Sequence, residues 1–221
     1  MAEESFWERS WKAFKSEAIA FCADPAGFTE DPLIRYLKNR CVASVCDAGC
    51  GCGSISLRLA ASGLRVSGFD LSAEAVALTR RLLSDHGYPG SGFRTADVRC
   101  TGYADETFDA AAARDVLDHM PIRDGAAALK ELIRIVKPGG CVLLTLDGTD
   151  DEYESEPHEI DSDGDYLYTD GRWKGMVFHP YTPGEIERLT RGFDAGILSA
   201  AGNRYTVVLD KPRFRSSDRV F

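Results

Sequence analysis

The feature that most constrains the fold is a glycine-rich loop between a predicted strand and a predicted helix. Val42 to Asp47 forms the strand pattern, the loop runs from Asp47 to Gly53 as Asp-Ala-Gly-Cys-Gly-Cys-Gly, and a helical pattern follows from Ser54 to Ser62. Glycines let the backbone pass close to a ligand, and the start of the following helix offers free N–H groups and a positive dipole end. The loop therefore predicts a binding site for an anionic or carboxylate-bearing ligand.

Strand and helix patterns alternate beyond this loop, which is typical of a parallel sheet joined by crossover helices. Further strands are predicted over 64–70, 92–98, 108–113 and 141–146, and helices over 73–86 and 125–136. Lys137 to Gly140, with one proline and two glycines, predicts a turn. A helix over 182–193 and strands over 196–200 and 205–209 are predicted to close the chain.

The N-terminal segment, residues 1–40, is predicted to be helical. Its apolar side chains recur at three- and four-residue steps, as on one helical face: Trp7, Trp11, Phe14 and Ala18. A second short helix, Leu33 to Lys38, is expected after the cap pair Asp31 and Pro32. The aromatic side chains of the first helix are expected to lie in the core.

Residues 147–183, here named the acidic insertion, are long for a plain connection. From Asp147 to Asp170 the chain carries seven Asp and four Glu and no Lys or Arg, a local charge of −11, so the remainder sums to +2. Asp170 and Gly171 separate two aromatic-rich runs, 166–169 and 173–178, and predict a hairpin turn. The insertion is expected to form a hairpin lid after the fifth strand.

Composition limits the class of protein. The chain has 221 residues, 44% of them hydrophobic, which suits one domain with a sizeable core. A net charge of −9 argues against nucleic-acid binding. No membrane-spanning stretch and no secretory signal are recognisable, so a cytoplasmic protein without membrane contacts is expected. The seven cysteines are expected to be reduced thiols.

Two sets of potential metal ligands have unfavourable spacing, and no metal site is predicted. Cys46, Cys50 and Cys52 do not match zinc or cluster spacing, and two of them fill the glycine loop. In 161–165 three aspartates alternate, but Gly164 and the lack of a following Glu at the required position do not fit an EF-hand loop. A solvated acidic loop is favoured.

The glycine spacing also limits the ligand. The third glycine follows the second by two positions, unlike a dinucleotide fingerprint, and no Lys-Ser or Lys-Thr pair follows, unlike a phosphate loop. The pattern Asp-x-Gly-x-Gly-x-Gly resembles the first motif of class I S-adenosylmethionine-dependent methyltransferases. Four further segments resemble that family in the same order: Asp70, Asp97-Val98, 108–120 and 135–140.

The resemblance covers roughly residues 41–209 and is strongest to the small-molecule, UbiE-like or methyltransferase type 11 branch. It implies an α/β, Rossmann-like, seven-stranded and mostly parallel sheet with helices on both faces and an antiparallel last strand. It also implies S-adenosylmethionine as cofactor and S-adenosylhomocysteine as product. In this family an early helix often covers the cofactor, which is the alternative to a core position for Trp7, Trp11 and Phe14. The implied cofactor-binding residues are Asp47, Gly49, Cys50, Gly51, Gly53, Asp70, Leu71, Asp97, Val98 and Arg114.

The residues expected to act on the acceptor come from the fourth motif and the acidic insertion. Asp115, His119 and His179 are candidate catalytic groups, each with a structural alternative such as helix capping or a loop position. Candidate substrate-binding residues are Tyr166, Tyr168, Trp173 and Tyr181, which could equally pack the hairpin onto the domain. Because arsenic methylation uses thiolates in this fold class, Cys22, Cys41 and Cys100 remain a minor alternative.

The function expected from the resemblance is methyl transfer to a small-molecule acceptor, by a monomer or homodimer. Charge repulsion from the acidic insertion favours a neutral or cationic acceptor over a phosphorylated one. A cofactor-binding module or sensor without transferase activity is the alternative. A nicotinamide-dependent oxidoreductase would share the early fold but does not match the glycine spacing.

Overall fold

The computed structural model describes residues 5–13 and 32–213. Its main sheet has seven strands in the order β3-β2-β1-β4-β5-β10-β9, and all of its strand pairs are parallel except the two that β10 makes with β5 and β9. The strands of this sheet are β1 (Ser44–Ala48), β2 (Arg65–Asp70), β3 (Phe93–Thr95), β4 (Phe108–Arg114), β5 (Val136–Asp147), β9 (Asp194–Ala201) and β10 (Arg204–Asp210). The predicted fold class is confirmed.

Helices cover both faces of the sheet. They are α1 (Phe6–Ala13), α2 (Pro32–Asn39), α3 (Ser54–Ala61), α4 (Ala73–Asp85), α5 (Ile122–Ile135), α6 (Asp151–Ser155) and α7 (Pro183–Leu189). Because successive strand residues point to opposite faces, Ala111 and Ala113 of β4 pack with α5 and α7, whereas Ala110 and Ala112 pack with α2 and α3. The sheet therefore has an apolar core on each side.

The predicted turn at Lys137–Gly140 is wrong, because β5 already begins at Val136. Phe108 pairs with Val136, and Ala110 pairs with Cys141, so the intervening residues form a bulge within the strand. Gly139 and Gly140 are held by backbone hydrogen bonds to Lys211 at 2.8 and 2.9 Å. Proline and glycine, which disfavour a regular strand, are tolerated at a bulge.

The acidic insertion forms a second, three-stranded antiparallel sheet of β6 (His158–Ile160), β7 (Tyr166–Tyr168) and β8 (Val177–Phe178). The predicted pairing of the two aromatic-rich runs is present as β7 with β8, but Asp170-Gly171 is no two-residue turn. A 3-10 turn over Gly171–Trp173 lengthens the connection. The insertion packs on α1 through an aromatic cluster that includes Phe6, Trp7, Tyr153 and Phe178.

Several sequence predictions concern residues outside the described ranges: Phe14, Ala18, Cys22 and Asp31. Among the described cysteines, Cys41, Cys46, Cys50, Cys100 and Cys141 are free thiols, as predicted. Cys52 is disulfide-bonded, so the prediction of reduced thiols is wrong at this position. No described helix has the length and apolar character needed to cross a bilayer.

Candidate functional site

A cavity of about 780 Å³ lies where the carboxyl ends of β1, β2 and β4 meet. Parallel α/β sheets place ligands at this edge because the loops that leave the strands converge there. The walls come from three separate parts of the chain: α1, the loops that follow the central strands, and residues 175–177 of the acidic insertion.

The glycine loop forms one wall, and its conformation depends on glycine. Gly49 and Gly51 have φ values of 70° and 53°, in the left-handed region that side chains disfavour. A Cβ on Gly49 would lie 2.5 Å from Val116 Cγ2, and one on Gly51 would lie 2.9 Å from the Trp11 ring. The conformation of this loop therefore requires glycine at both positions.

Asp70, at the end of β2, holds this loop in place. Its Oδ2 accepts a hydrogen bond from the Gly51 N–H at 2.9 Å, and its Oδ1 accepts one from the Ser72 N–H at 2.9 Å. Burial raises the pKa of the Asp70 carboxyl above its usual value. The side chain lines the cavity, and each carboxylate oxygen retains a lone pair for a ligand hydroxyl.

Asp47 and Asp97 lie on either side of Asp70 in the strand order and also line the cavity. Burial raises the pKa of Asp47 to about 6, although the Ser56 hydroxyl donates a hydrogen bond to its carboxylate. The guanidinium of Arg99 engages both carboxylate oxygens of Asp97, which lowers its pKa. Asp97 is thus ionised and oriented before any ligand binds.

Helix α1 forms the wall that the sequence assigned to the core. Trp7 and Trp11 are only partly buried and line the cavity, where Trp11 covers Gly51. Glu8 fixes the helix to the start of α4, since its carboxylate accepts hydrogen bonds from the Ser72 hydroxyl at 2.6 Å and the Glu74 N–H at 3.3 Å. The amphipathic pattern predicted the helix, but no local signal separates a core-facing stripe from a cavity-facing one.

Three aspartates meet at the ends of β4 and β5: Asp115, Asp118 and Asp147. Arg204 neutralises part of their charge. Its Nε and Nη2 lie 2.7 and 2.8 Å from the Asp147 carboxylate oxygens, and Nη2 lies 3.0 Å from Asp115 Oδ1. Asp118 is fully buried, and burial together with its two acidic neighbours raises its pKa well above the usual value, which favours the protonated carboxyl.

Asp115 is the member of this group that lines the cavity. Its φ of 55° is unusual for a residue other than glycine, and such strain concentrates at functional sites. The Thr145 hydroxyl links the two strand ends, donating to Asp115 Oδ1 at 2.7 Å and accepting from the Asp115 N–H at 2.9 Å. The side chain is therefore positioned by β5 and does not cap α5, which begins at Ile122.

His119 also lines the cavity, among aromatic side chains. Its ring lies edge-on to Trp7 with centroids 5.0 Å apart, and Phe178 lies 5.7 Å away. Burial lowers the pKa of the imidazole to about 4, so it is neutral at physiological pH. Its Nδ1 is buried and has no hydrogen-bond partner among the described residues.

The structure brings most predicted cofactor residues together and leaves most predicted acceptor residues outside the cavity. Nine of the cofactor residues are in the lining: Asp47, Gly49, Cys50, Gly51, Asp70, Leu71, Asp97, Val98 and Arg114. Gly53 lies behind the loop and caps α3. The free cysteines Cys41 and Cys100 are not in the lining.

His179 and the four predicted substrate-binding aromatics are absent from the lining of this cavity. His179 is buried, with Nδ1 2.8 Å from Asp165 Oδ1. Tyr166 donates to Glu154, and Tyr168 donates to the Tyr153 carbonyl; Trp173 packs in the same aromatic cluster, and Tyr181 is buried against α5. The insertion instead contributes Gly175, Met176 and Val177, which the aromatic pattern did not single out.

Comparisons with known proteins show a shared fold and a segment similar to a known domain family. Residues 45–140 match the family described as a methyltransferase domain. This segment includes the glycine loop, Asp70, Asp97 and the Asp115–His119 region. This segment of the chain is therefore similar to a methyltransferase domain. The cofactor of this family is S-adenosylmethionine.

Two curated relatives illustrate the match. The malonyl-[acyl-carrier protein] O-methyltransferase of Salmonella typhimurium is 35% identical over 116 residues, which is 52% of this chain and 43% of that protein. The ubiquinone biosynthesis O-methyltransferase of Paracidovorax citrulli is 29% identical over 102 residues, 46% of this chain and 42% of that protein. The chain thus matches less than half the length of these relatives.

Solved structures share the fold of this chain over most of its length. The PH0226 protein of Pyrococcus horikoshii superposes with a TM-score of 0.67 at 21% identity, covering 81% of this chain and 85% of that one. The 1,6-didemethyltoxoflavin-N1-methyltransferase of Burkholderia thailandensis, solved with that substrate and S-adenosylhomocysteine, has a TM-score of 0.62 at 20% identity. The match covers 94% of this chain and 88% of the other protein's chain.

Proposed function

We propose that this chain transfers the methyl group of S-adenosylmethionine to a small-molecule acceptor. One observation carries the proposal: a single cavity is lined both by the glycine loop with Asp70 and by Asp115 and His119 beyond it. The strand order places these groups in sequence across the sheet, from Asp97 after β3 to Asp115 after β4. A cofactor site and a space for a second reactant are therefore continuous.

The cofactor would bind along the first part of this cavity. The start of α3, where Ser54 and Ile55 line the cavity, suits its carboxylate, and Asp70 suits the ribose hydroxyls. Asp97 and Val98 would contact the adenine, with the exposed side chain of Leu71 as an apolar surface beside it. When bound, the sulfonium supplies an electrophilic methyl group, so the chain must mainly align the acceptor.

The charges around the cavity support a neutral or cationic acceptor. Five aspartates line it against two arginines: Asp47, Asp70, Asp97, Asp115 and Asp124 against Arg99 and Arg114. A phosphorylated acceptor would be repelled by this surplus of carboxylates. The aromatic rings of Trp7 and Trp11 would add apolar contacts and, for a cation, an attractive ring face.

His119 and Asp115 are the groups proposed to contact the acceptor. The neutral imidazole of His119 offers a buried ring nitrogen without a partner, which suits orientation of an acceptor N–H or O–H group. Asp115 lies at the strand end beside it, and its carboxylate, which also contacts Arg204, lines the space where the acceptor would lie. The position of His179 gives its predicted catalytic role no support.

Calorimetric titration with S-adenosylmethionine and S-adenosylhomocysteine tests this function, with NAD as control ligand. We expect both sulfur ligands to bind, and Asp70→Asn to weaken both. The matched variant Asp85→Asn removes an exposed carboxylate of α4 and should bind like the parent chain. Absence of binding to a folded sample, or equal binding by both variants, would contradict the assignment.

A turnover assay distinguishes an enzyme from a cofactor-binding module without transferase activity, the alternative that the sequence left open. Formation of S-adenosylhomocysteine should appear with neutral or cationic aromatic acceptors and should fall in Asp115→Asn with cofactor affinity retained. A chain that binds the cofactor but produces no S-adenosylhomocysteine across such a set would be the binding module. The continuous second space in the cavity favours the enzyme.

A further inference from the structure

A second group of acidic side chains lies outside the cavity, in the loop 161–165 that joins β6 to β7. One carboxylate oxygen of each of Asp161, Asp163 and Asp165 lies within 4.8 Å of the other two. The sequence favoured a solvated loop here, but Asp165 is fully buried. That expectation is wrong for Asp165, and the burial of a carboxylate beside two others requires compensation.

The hydrogen bonds of Asp165 satisfy only one of its two oxygens. Oδ1 accepts from the Ile122 N–H at 3.1 Å and lies 2.8 Å from His179 Nδ1. Oδ2 is buried and has no partner among the described residues. A buried carboxylate oxygen without a donor is costly, so this atom points to a ligand that the protein side chains do not supply.

The negative charge of the other two aspartates in the loop, Asp161 and Asp163, is only weakly compensated by neighbouring groups. Asp161 Oδ1 accepts hydrogen bonds from the N–H groups of Asp163 and Asp165, at 2.8 and 3.0 Å. Arg123 approaches Asp163 Oδ2 only to 3.8 Å, and its side chain is largely exposed. The loop thus holds three close carboxylates in a backbone turn, and the basic side chains that contact them among the described residues are the solvated Arg123 and the buried His179.

We propose that this loop binds one divalent cation of the calcium class. Calcium is a hard cation that prefers oxygen ligands, and the three carboxylates supply such ligands. Backbone carbonyls and water would complete its coordination shell. The other acidic group, Asp115 with Asp118 and Asp147, is unsuitable because Arg204 already lies within 3.0 Å of two of its members. Within residues 5–13 and 32–213, no arginine or lysine comes closer to the carboxylates of the 161–165 loop than Arg123, at 3.8 Å from Asp163.

The cation would tie the acidic insertion to the rim of the cavity. Asp165 accepts the N–H of Ile122, the first residue of α5, and the two preceding residues, Met120 and Pro121, line the cavity. The same carboxylate contacts His179 Nδ1 at 2.8 Å, so the cation would also fix the orientation of this buried histidine. The proposal is independent of the methyl-transfer assignment, because its test measures cation binding alone.

The test is calorimetric titration of the EDTA-treated full chain with CaCl2 at 150 mM salt, which screens diffuse charge. We expect one Ca²⁺ per chain and a rise in Tm on binding. Asp163→Asn should weaken binding by at least about tenfold, because one charged ligand is lost. Its side chain is 43% exposed, so the variant should fold.

Glu159→Gln is the matched control, since it removes one exposed carboxylate of β6 two residues before the loop. It should change the Ca²⁺ affinity by less than about twofold, because Glu159 is not a proposed ligand and the salt screens its charge. Sensitised Tb³⁺ emission through the adjacent Tyr166 gives a second readout, expected to fall in Asp163→Asn only. Absence of Ca²⁺ binding, or equal weakening by both variants, would overturn the proposal.

Discussion

Replacing Arg204 by methionine should destabilise the protein through the carboxylates that the arginine leaves behind. Arg204 makes two hydrogen bonds to Asp147, at 2.7 and 2.8 Å, and one contact of 3.0 Å to Asp115. Asp147 is 8% exposed, and Arg204 is 40% exposed. Methionine replaces the aliphatic part of the arginine side chain but leaves three neighbouring carboxyl groups without the guanidinium cation.

The size of the effect follows from this mixed exposure. Removing one partner of a buried ion pair costs about 3–5 kcal/mol, whereas an exposed pair contributes about 1 kcal/mol or less. Since Asp147 is buried and Arg204 is partly solvated, we expect a loss of about 2 kcal/mol in the free energy of unfolding at pH 7. Arg188→Met, which breaks a pair between exposed Arg188 and Glu185, should cost less than about 0.5 kcal/mol.

The pH dependence identifies the cause. Without Arg204, the cost comes from the burial and mutual repulsion of ionised carboxylates, so it should be absent at low pH, where carboxyl groups are protonated, and should grow as pH rises. Urea unfolding followed by circular dichroism from pH 4 to 8 should therefore show the difference from the parent chain shrinking towards pH 4. A loss that is constant with pH, or no larger than that of Arg188→Met, would refute the reasoning.

Two further predictions concern the cavity wall. Burial lowers the pKa of His119 to about 4 from a usual 6.5. The free energy of unfolding should therefore be fully retained above pH 6.5 and should fall by up to about 3 kcal/mol towards pH 4. His119→Gln should flatten this pH dependence in the same unfolding assay. Gly49→Ala places a Cβ 2.5 Å from Val116 and in the left-handed region, so it should abolish S-adenosylmethionine binding in calorimetry. Val116→Ala in the same chain should restore part of that binding; unchanged affinity of Gly49→Ala would contradict the loop geometry.

The strand-end residues were predictable because topology alone brings them together. Once β1 and β2 are parallel neighbours, Asp47, the glycine loop and Asp70 must meet at one edge, whatever the exact helix boundaries. The same reasoning placed Asp97 and Asp115, which follow β3 and β4. These residues needed only the order of strands and helices, which the hydrophobic patterns and the family motifs supplied.

The acidic insertion shows why the other wall could not be predicted. Tyr166 and Tyr168 lie on the same face of β7, as the alternation of a strand requires, but that face packs into the aromatic cluster of the insertion with Met176 and Phe178. Sequence periodicity shows that the two tyrosine side chains share one face of the strand. It does not show whether that face points towards the cavity or into the insertion. His179 was misplaced for a related reason, because its partner Asp165 is buried by a fold that the acidic composition did not suggest.

Helix α1 joins the two walls physically. On one side Glu8 binds the start of α4 and Trp11 covers Gly51, so the helix is fixed to the cofactor loop. On the other side Arg9 donates to the Lys174 carbonyl at 3.0 Å, next to the insertion residues that line the cavity. Since eight residues carry both sets of contacts, a displacement of α1 would open the glycine loop and the acceptor space together. Cofactor binding and access to the second space should therefore be coupled through this helix.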